Sequence, residues 1–126
     1  GHGTMWDLPD SSALSSLLAE AWESGSVLAA VCHGGAGLVN VNLASGEPLV
    51  KGRRVTSFSD SEEAAAGLTE VVPFLLETRL RSLGAEYQAG PDFENFIQQD
   101  GRLITGQNPA SSKAVAQAIL TTLEGE

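Results

Sequence analysis

At 126 residues with 42% hydrophobic residues, the chain is long enough for one ordinary domain that buries roughly two-thirds of its surface, and nothing marks a second. Sixteen acidic against seven basic residues give a formal charge of −9, which argues against nucleic acid and anionic membrane surfaces as partners. No apolar run approaches a membrane span, no charged-then-apolar leader opens the chain, and a lone cysteine cannot close an internal disulfide, so a reducing compartment, the cytoplasm, is expected.

Gly1-His2-Gly3-Thr4 reads as a polar loop, anchored by the large apolar residues of Met5-Trp6-Asp7-Leu8-Pro9. With no methionine at position 1, the amino end is expected to arise by cleavage or to be a boundary of the material. From Ser11 or Ser12 as N-cap a helix runs to about Glu23, with Leu14, Leu17, Leu18, Ala21 and Trp22 spaced along one buried face. Ser24-Gly25 ends it. Val27 to Val31 is too short for a helix and lacks polar alternation, so it reads as a strand buried on both faces. Helix, glycine stop and buried strand form half of a βαβ unit, which makes the fold class α/β and implies sheet partners upstream that this sequence does not contain.

The strand delivers Cys32 and His33, and Gly34-Gly35 permits a sharp turn into a following helix over about Gly35 to Val41. This is the pattern of a nucleophile elbow, which lifts one side chain above the sheet edge beside the free N–H groups of the next helix. A lone cysteine is more often a small buried hydrophobe than a nucleophile; the strand–Cys–His–Gly–Gly context favours the nucleophile. The helix N-terminus and His33 are expected to favour the thiolate.

Leu49-Val50, Lys51-Gly52 and Arg53 to Thr56 look like a hairpin whose second arm continues to Phe58. Ser59-Asp60-Ser61-Glu62-Glu63 opens a helix over Ala64 to Leu68. Ser59 with Glu62, or Asp60 with Glu63, makes a capping box, and a carboxylate there would also lie at the sheet edge near Cys32, where it orients a histidine. Thr69 to Leu83 predicts a second long helix starting at Glu70 to Val72 because of Pro73, with Val72, Leu75, Leu76, Leu80 and Leu83 inward. Ala85-Glu86-Tyr87 begins a strand. Phe96 to Gln99 and Arg102 to Thr105 flank an Asp100-Gly101 turn as a hairpin, and a last helix capped by Ser111 or Ser112 places Val115, Ala118, Ile119 and Leu123 on one face.

The runs Gly1 to Pro9, Ala30 to Gly34, Val55 to Ser59 with Glu62-Glu63, and Asp100 to Ser112 resemble the ThiJ/PfpI superfamily, and within it the glutathione-independent glyoxalase III branch, also described as stress chaperones and deglycases. The likeness covers the whole chain, residues 1–126, as the carboxyl-terminal part of such a domain. It implies a flavodoxin-like sandwich with a mostly parallel sheet and helices on both faces, its amino-terminal strands absent, and usually a homodimer. It also implies Cys32 as nucleophile, His33 as its partner and Glu63 as the acid, Glu63 being chosen over Glu62 by its place in the motif. Gly1 matches a glycine whose N–H helps form an oxyanion hole, so the amino end reads as native sequence, and Gly1, His2 and Gly34 are assigned to the oxyanion and substrate side. Gly35 stands where a proline is common, a loosening of the turn.

The buried glutamate that shuttles protons in such proteins lies in the absent portion, so the resemblance implies that this segment completes the site. The full site would convert a 2-oxoaldehyde such as methylglyoxal to a hydroxy acid such as D-lactate, through a hemithioacetal and an enediol. That scheme needs no cofactor. His2, Cys32, His33 and the acids lack metal-ligand spacing along the chain, although metal sites occur in some relatives. Two other classes compete: a stress chaperone or redox sensor built on reversible Cys32 oxidation, and, more weakly, a peptidase- or amidase-type hydrolase. An amidotransferase triad is disfavoured because no histidine follows His33.

Overall fold

The computed structural model describes residues 1–125. A four-residue turn of helix, α1 (Thr4–Asp7), precedes α2 (Ser12–Glu23), and the Ser11 hydroxyl accepts the Leu14 N–H at 3.2 Å as the N-cap. Strand β1 (Leu28–Val31) follows and runs directly into a 3-10 helix over Cys32–Leu38. Then come β2 (Arg54–Val55), α3 (Asp60–Ala65), α4 (Leu76–Ser82), β3 (Glu86–Tyr87), β4 (Ile97–Asp100), β5 (Leu103–Gly106) and α5 (Ser112–Glu124). No helix among the described residues is long and apolar enough to cross a membrane.

The α/β reading holds. β1 pairs in parallel with β5, from Leu28 opposite Leu103 to Val31 opposite Gly106, and β4 pairs antiparallel with β5 around the Asp100-Gly101 turn. At the last register position a side chain on Gly106 would meet Val115, Ser111 and Val31 at 2.6–3.1 Å, so only glycine lets α5 and β1 close on this strand end beside Cys32. The core gathers Met5, Leu49, Leu76, Leu80, Leu103 and Ile104, each almost wholly inaccessible. Trp22 lies between the guanidiniums of Arg53 and Arg102, 4.6 and 3.9 Å from its ring, and Arg102 Nη1 donates to the Trp22 and Ser26 carbonyls, tying the end of α2 to the start of β5.

Several local expectations fail. The hairpin over Leu49 to Phe58 does not form: Leu49 and Val50 are fully buried in a turn, and β2 pairs in parallel with β3, Arg54 opposite Glu86 and Val55 opposite Tyr87. The turn chemistry of Lys51-Gly52 was legible, but a strand's partner is chosen by what packs across it, here the α4 crossover. The helix expected from Thr69 starts only at Leu76, with Leu75 still extended; Pro73 has no N–H to give to a helical ladder, and a residue before proline is disfavoured in the helical region. Leu75 and Leu83 are correspondingly half-buried. The helix placed at Ala64 to Leu68 lies earlier, on its capping residues.

β1 is not buried on both faces among the described residues: it has one sheet neighbour, and Ala29 is exposed. Leu17 of α2 and Leu123 of α5, both expected inward, are 62% and 49% exposed.

Candidate active site

Val31 is extended, at φ −132° and ψ 141°, and the next residue, Cys32, stands at φ +60°. An L-residue held in the left-handed region costs about 1–2 kcal/mol, so the backbone is bent sharply where the strand becomes the 3-10 helix. The bend is pinned from outside by the Phe58 N–H, which donates to the Cys32 carbonyl at 3.3 Å. Glycine escapes this strain and alanine does not. Cys32→Gly is therefore expected to unfold about 1 kcal/mol less readily than Cys32→Ala in urea titrations; equal midpoints would show that the elbow stores no strain.

From that elbow the Cys32 sulfur lies 3.4 Å from Nδ1 of its neighbour His33. Adjacent side chains of a regular strand point to opposite faces, so the bend is what brings them together. On the far side of the ring, His33 Nε2 donates to Glu63 Oε2 at 2.8 Å. An ionised carboxylate only accepts, so the proton of neutral His33 sits on Nε2 and the lone pair of Nδ1 faces the thiol. His33 and Glu63 are 1% and 2% exposed, which makes this contact a dry one. The Phe58 ring closes over His33, with centroids 4.2 Å apart.

Burial pushes the Cys32 thiol above its usual range, although the His33 backbone N–H pulls the other way. Burial likewise holds the His33 imidazole below its ordinary value, opposed by Glu63. The expectation of a resting thiolate is thus corrected: desolvation outweighs the turn's N–H groups, and the resting pair at neutral pH is a thiol beside a neutral imidazole. Such a pair works by general base catalysis, with the proton moving to Nδ1 as the sulfur attacks.

Two consecutive buried glutamates do different jobs. Glu62 closes the Ser59 capping box: its Oε1 accepts the Ser59 N–H at 3.0 Å while the Ser59 hydroxyl accepts the Glu62 N–H at 3.1 Å. Its Oε2 accepts the Phe93 N–H at 2.7 Å and Asn108 Nδ2–H at 2.9 Å. Glu63, one residue on and about 100° round the helix, faces His33 instead. Geometry therefore separates the two acids that local pattern left open.

His2, placed by the resemblance on the oxyanion and substrate side, has its Nε2 2.6 Å from Glu63 Oε1, with its ring centroid 3.8 Å from that of His33 and the two planes tilted by 41°. It is held there by α1, whose Thr4 hydroxyl lies 2.9 Å from the Gly1 carbonyl and 3.0 Å from the His33 carbonyl. A side chain added at Gly1 or Gly34 would meet nothing within 4 Å, so space stands open beside both. Phe58, Thr4 and Asn108 carry the geometry without having been singled out; all three lie in the quoted motifs, but nothing in those motifs says which contacts they make.

His2, His33 and Glu63 bring potential metal-ligand atoms within 4.8 Å of one another, a cluster that spacing along the chain did not reveal because the fold assembles it. Two ligands of a tetrahedral zinc ion, each about 2.1 Å from it, stand more than 3 Å apart. The contacts of 2.6 and 2.8 Å are those of shared protons, and the cluster is a hydrogen-bonded one. A hollow of about 600 Å3 between α2 and Asn42 to Ala44 includes none of these residues.

No protein-family model matches the chain. It is 35% identical to glyoxalase 3 of Candida albicans, across 98% of this chain and 55% of that protein, and 35% identical to the glutathione-independent glyoxalase HSP31 of Saccharomyces cerevisiae, with the same coverage. The crystal structure of glyoxalase III from Candida albicans superimposes with a TM-score of 0.91 at 34% identity, covering 97% of this chain and 54% of that one. A ThiJ/PfpI domain protein from Brachyspira murdochii, 17% identical, shares the fold at a TM-score of 0.68, over 95% of this chain and 54% of its own. The chain spans about half the length of the curated relatives it matches. Over nearly its whole length the chain is therefore similar to about half of a glutathione-independent glyoxalase, and it shares its fold with a ThiJ/PfpI domain protein.

Proposed function

We propose that the protein carrying this chain isomerises and hydrates small 2-oxoaldehydes, methylglyoxal being the type case, to 2-hydroxy acids without glutathione, with Cys32 as nucleophile, His33 as general base and Glu63 as the acid that orients it. The observation that carries the reading is the elbow: Cys32 at φ +60° with its sulfur 3.4 Å from an imidazole nitrogen whose far side is tied to a buried carboxylate. The relatives' printed names support the substrate class.

In this scheme the sulfur adds to the aldehyde carbon, the thiol proton passes to His33 Nδ1, and the C=O electron pair goes to oxygen, which is reprotonated as a hemithioacetal. A base then takes the proton on that carbon. The resulting enediol is protonated at the neighbouring carbon, leaving a thioester of the hydroxy acid, and water releases the acid and restores the thiol. Net, one water is consumed and nothing is oxidised from outside. Gly1, His2 and Gly34 are the proposed neighbours of the developing oxyanion, the glycines because open space lies beside them.

A raised thiol pKa fits a base-assisted nucleophile better than a redox sensor, whose cysteine works as a ready thiolate. The test is glutathione-free methylglyoxal consumption with lactate as product, wild type against Cys32→Ala. Loss of activity by about 1,000-fold or more is expected; equal rates would remove Cys32 from the chemistry.

A further inference from the structure

The Glu63 carboxylate is occupied at both oxygens by imidazoles, His33 Nε2 at 2.8 Å on Oε2 and His2 Nε2 at 2.6 Å on Oε1. The scheme above uses only the first contact. The second comes from a residue 61 positions away, on a segment outside the sheet, and it brings the two imidazoles into contact, with centroids 3.8 Å apart. His2 is the more accessible of the two, its side chain 32% exposed against 1% for His33, so it exchanges protons with solvent more readily.

We propose that His2 is a positioning residue of the Cys32 site: by gripping the second oxygen of Glu63 it fixes that carboxylate toward His33, and by sharing one negative charge with His33 it keeps His33 in the neutral, base-competent form.

This inference rests on the reading of Cys32, His33 and Glu63 given above. One carboxylate neutralises one imidazolium. Two protonated rings 3.8 Å apart repel in a site with little water to screen them, so a charge on the His2 ring opposes a proton on His33. The groups that act on His33 are Glu63 from α3, His2 and the amino group of Gly1 from the segment before α1, with the Cys32 thiol next to it on its own turn. Burial and His2 both oppose a proton on His33, whereas Glu63 favours one. Removing His2 leaves Glu63 to His33 alone, so His33 must then bind its proton at higher pH. The His2 clamp thereby offsets part of the pull of Glu63, which otherwise holds the base protonated into the working range.

The experiment follows the imidazole resonances of the whole protein by NMR between pH 4 and 9, in wild type, His2→Gln and His2→Ala, with His33→Gln to assign the signals. Gln retains an N–H donor and loses the titration. In wild type the two histidines are expected to titrate in linked steps. In both His2 variants the His33 midpoint is expected to rise, by about one pH unit. Alkylation of Cys32 by iodoacetamide at pH 9, where His33 is deprotonated in every variant, is expected to slow about ten-fold in His2→Ala, through the loosened carboxylate, and to recover in His2→Gln. A His33 midpoint that stays put in both variants, or two independent single-step titrations in wild type, overturns the proposal even if the rates fall, because a merely structural His2 would change rates alone. A slowing that Gln does not rescue overturns the positioning role. If instead His33→Gln leaves the alkylation rate unchanged, the underlying relay fails, while the His2–His33 coupling is still read from the wild-type titration.

Discussion

Glu63→Gln is expected to reduce the Cys32-dependent turnover by about 1,000- to 10,000-fold with the fold intact. The carboxylate accepts from His33 Nε2 on one oxygen and from His2 Nε2 on the other. A glutamine offers one oxygen and one NH2, so only one histidine keeps its acceptor. When the NH2 faces His33, Nε2 must turn acceptor and the proton moves to Nδ1, the nitrogen that should receive the thiol proton at 3.4 Å. The tautomer is then wrong for a base. Steady-state turnover and circular dichroism on the same preparation check this; an unimpaired rate would show that the orientation of His33 does not depend on the buried charge.

The neighbouring substitution is expected to fail in a different way. Glu62→Ala should destabilise the protein by about 3 kcal/mol, because it strands the buried Ser59 N–H, the part-buried Phe93 N–H and one N–H of the Asn108 amide, whose other bond goes to the Glu94 carbonyl. Phe93 is itself at φ +58°, a conformation the surrounding bonds must hold. Desolvation raises the Glu62 pKa, yet the backbone donors of Ser59 and Phe93 and the Asn108 amide more than offset it, so the folded value lies below the ordinary 4.5. A depressed folded pKa means stability that is fully present above about 4.5 and lost as the pH falls through the folded value. The gap between wild type and Glu62→Gln in urea denaturation is accordingly expected to be constant from pH 7 to 5 and to narrow toward pH 3. A gap independent of pH would show that shape, not charge, is what Glu62 contributes.

These two residues show where reading along the chain stops. Both capping boxes, Ser59 with Glu62 and Asp60 with Glu63, satisfied the local pattern, and family resemblance rather than spacing favoured Glu63 for the histidine. The helix decides it by rotation: Glu62 turns back on its own N-terminus, and Glu63 reaches across to a different element. The extent of α2, the Asp100-Gly101 hairpin and the Ser11 cap were likewise legible, since each is written within a few residues. The supposed hairpin at Lys51-Gly52 failed for the opposite reason, because the partner of β2 lies about 30 residues downstream.

By itself the chain's order of residues determined an α/β fold, a strand that ends in a cysteine at a glycine-rich bend, and the capped turn beyond Phe58. Periodicity and turn chemistry act over one or two helical turns, so they suffice for these. Tertiary structure alone decided the left-handed backbone at Cys32, the protonation of its thiol, and the meeting of His2, His33 and Glu63. Bond strain, desolvation and contact between residues 61 positions apart exist only once distant segments have packed together.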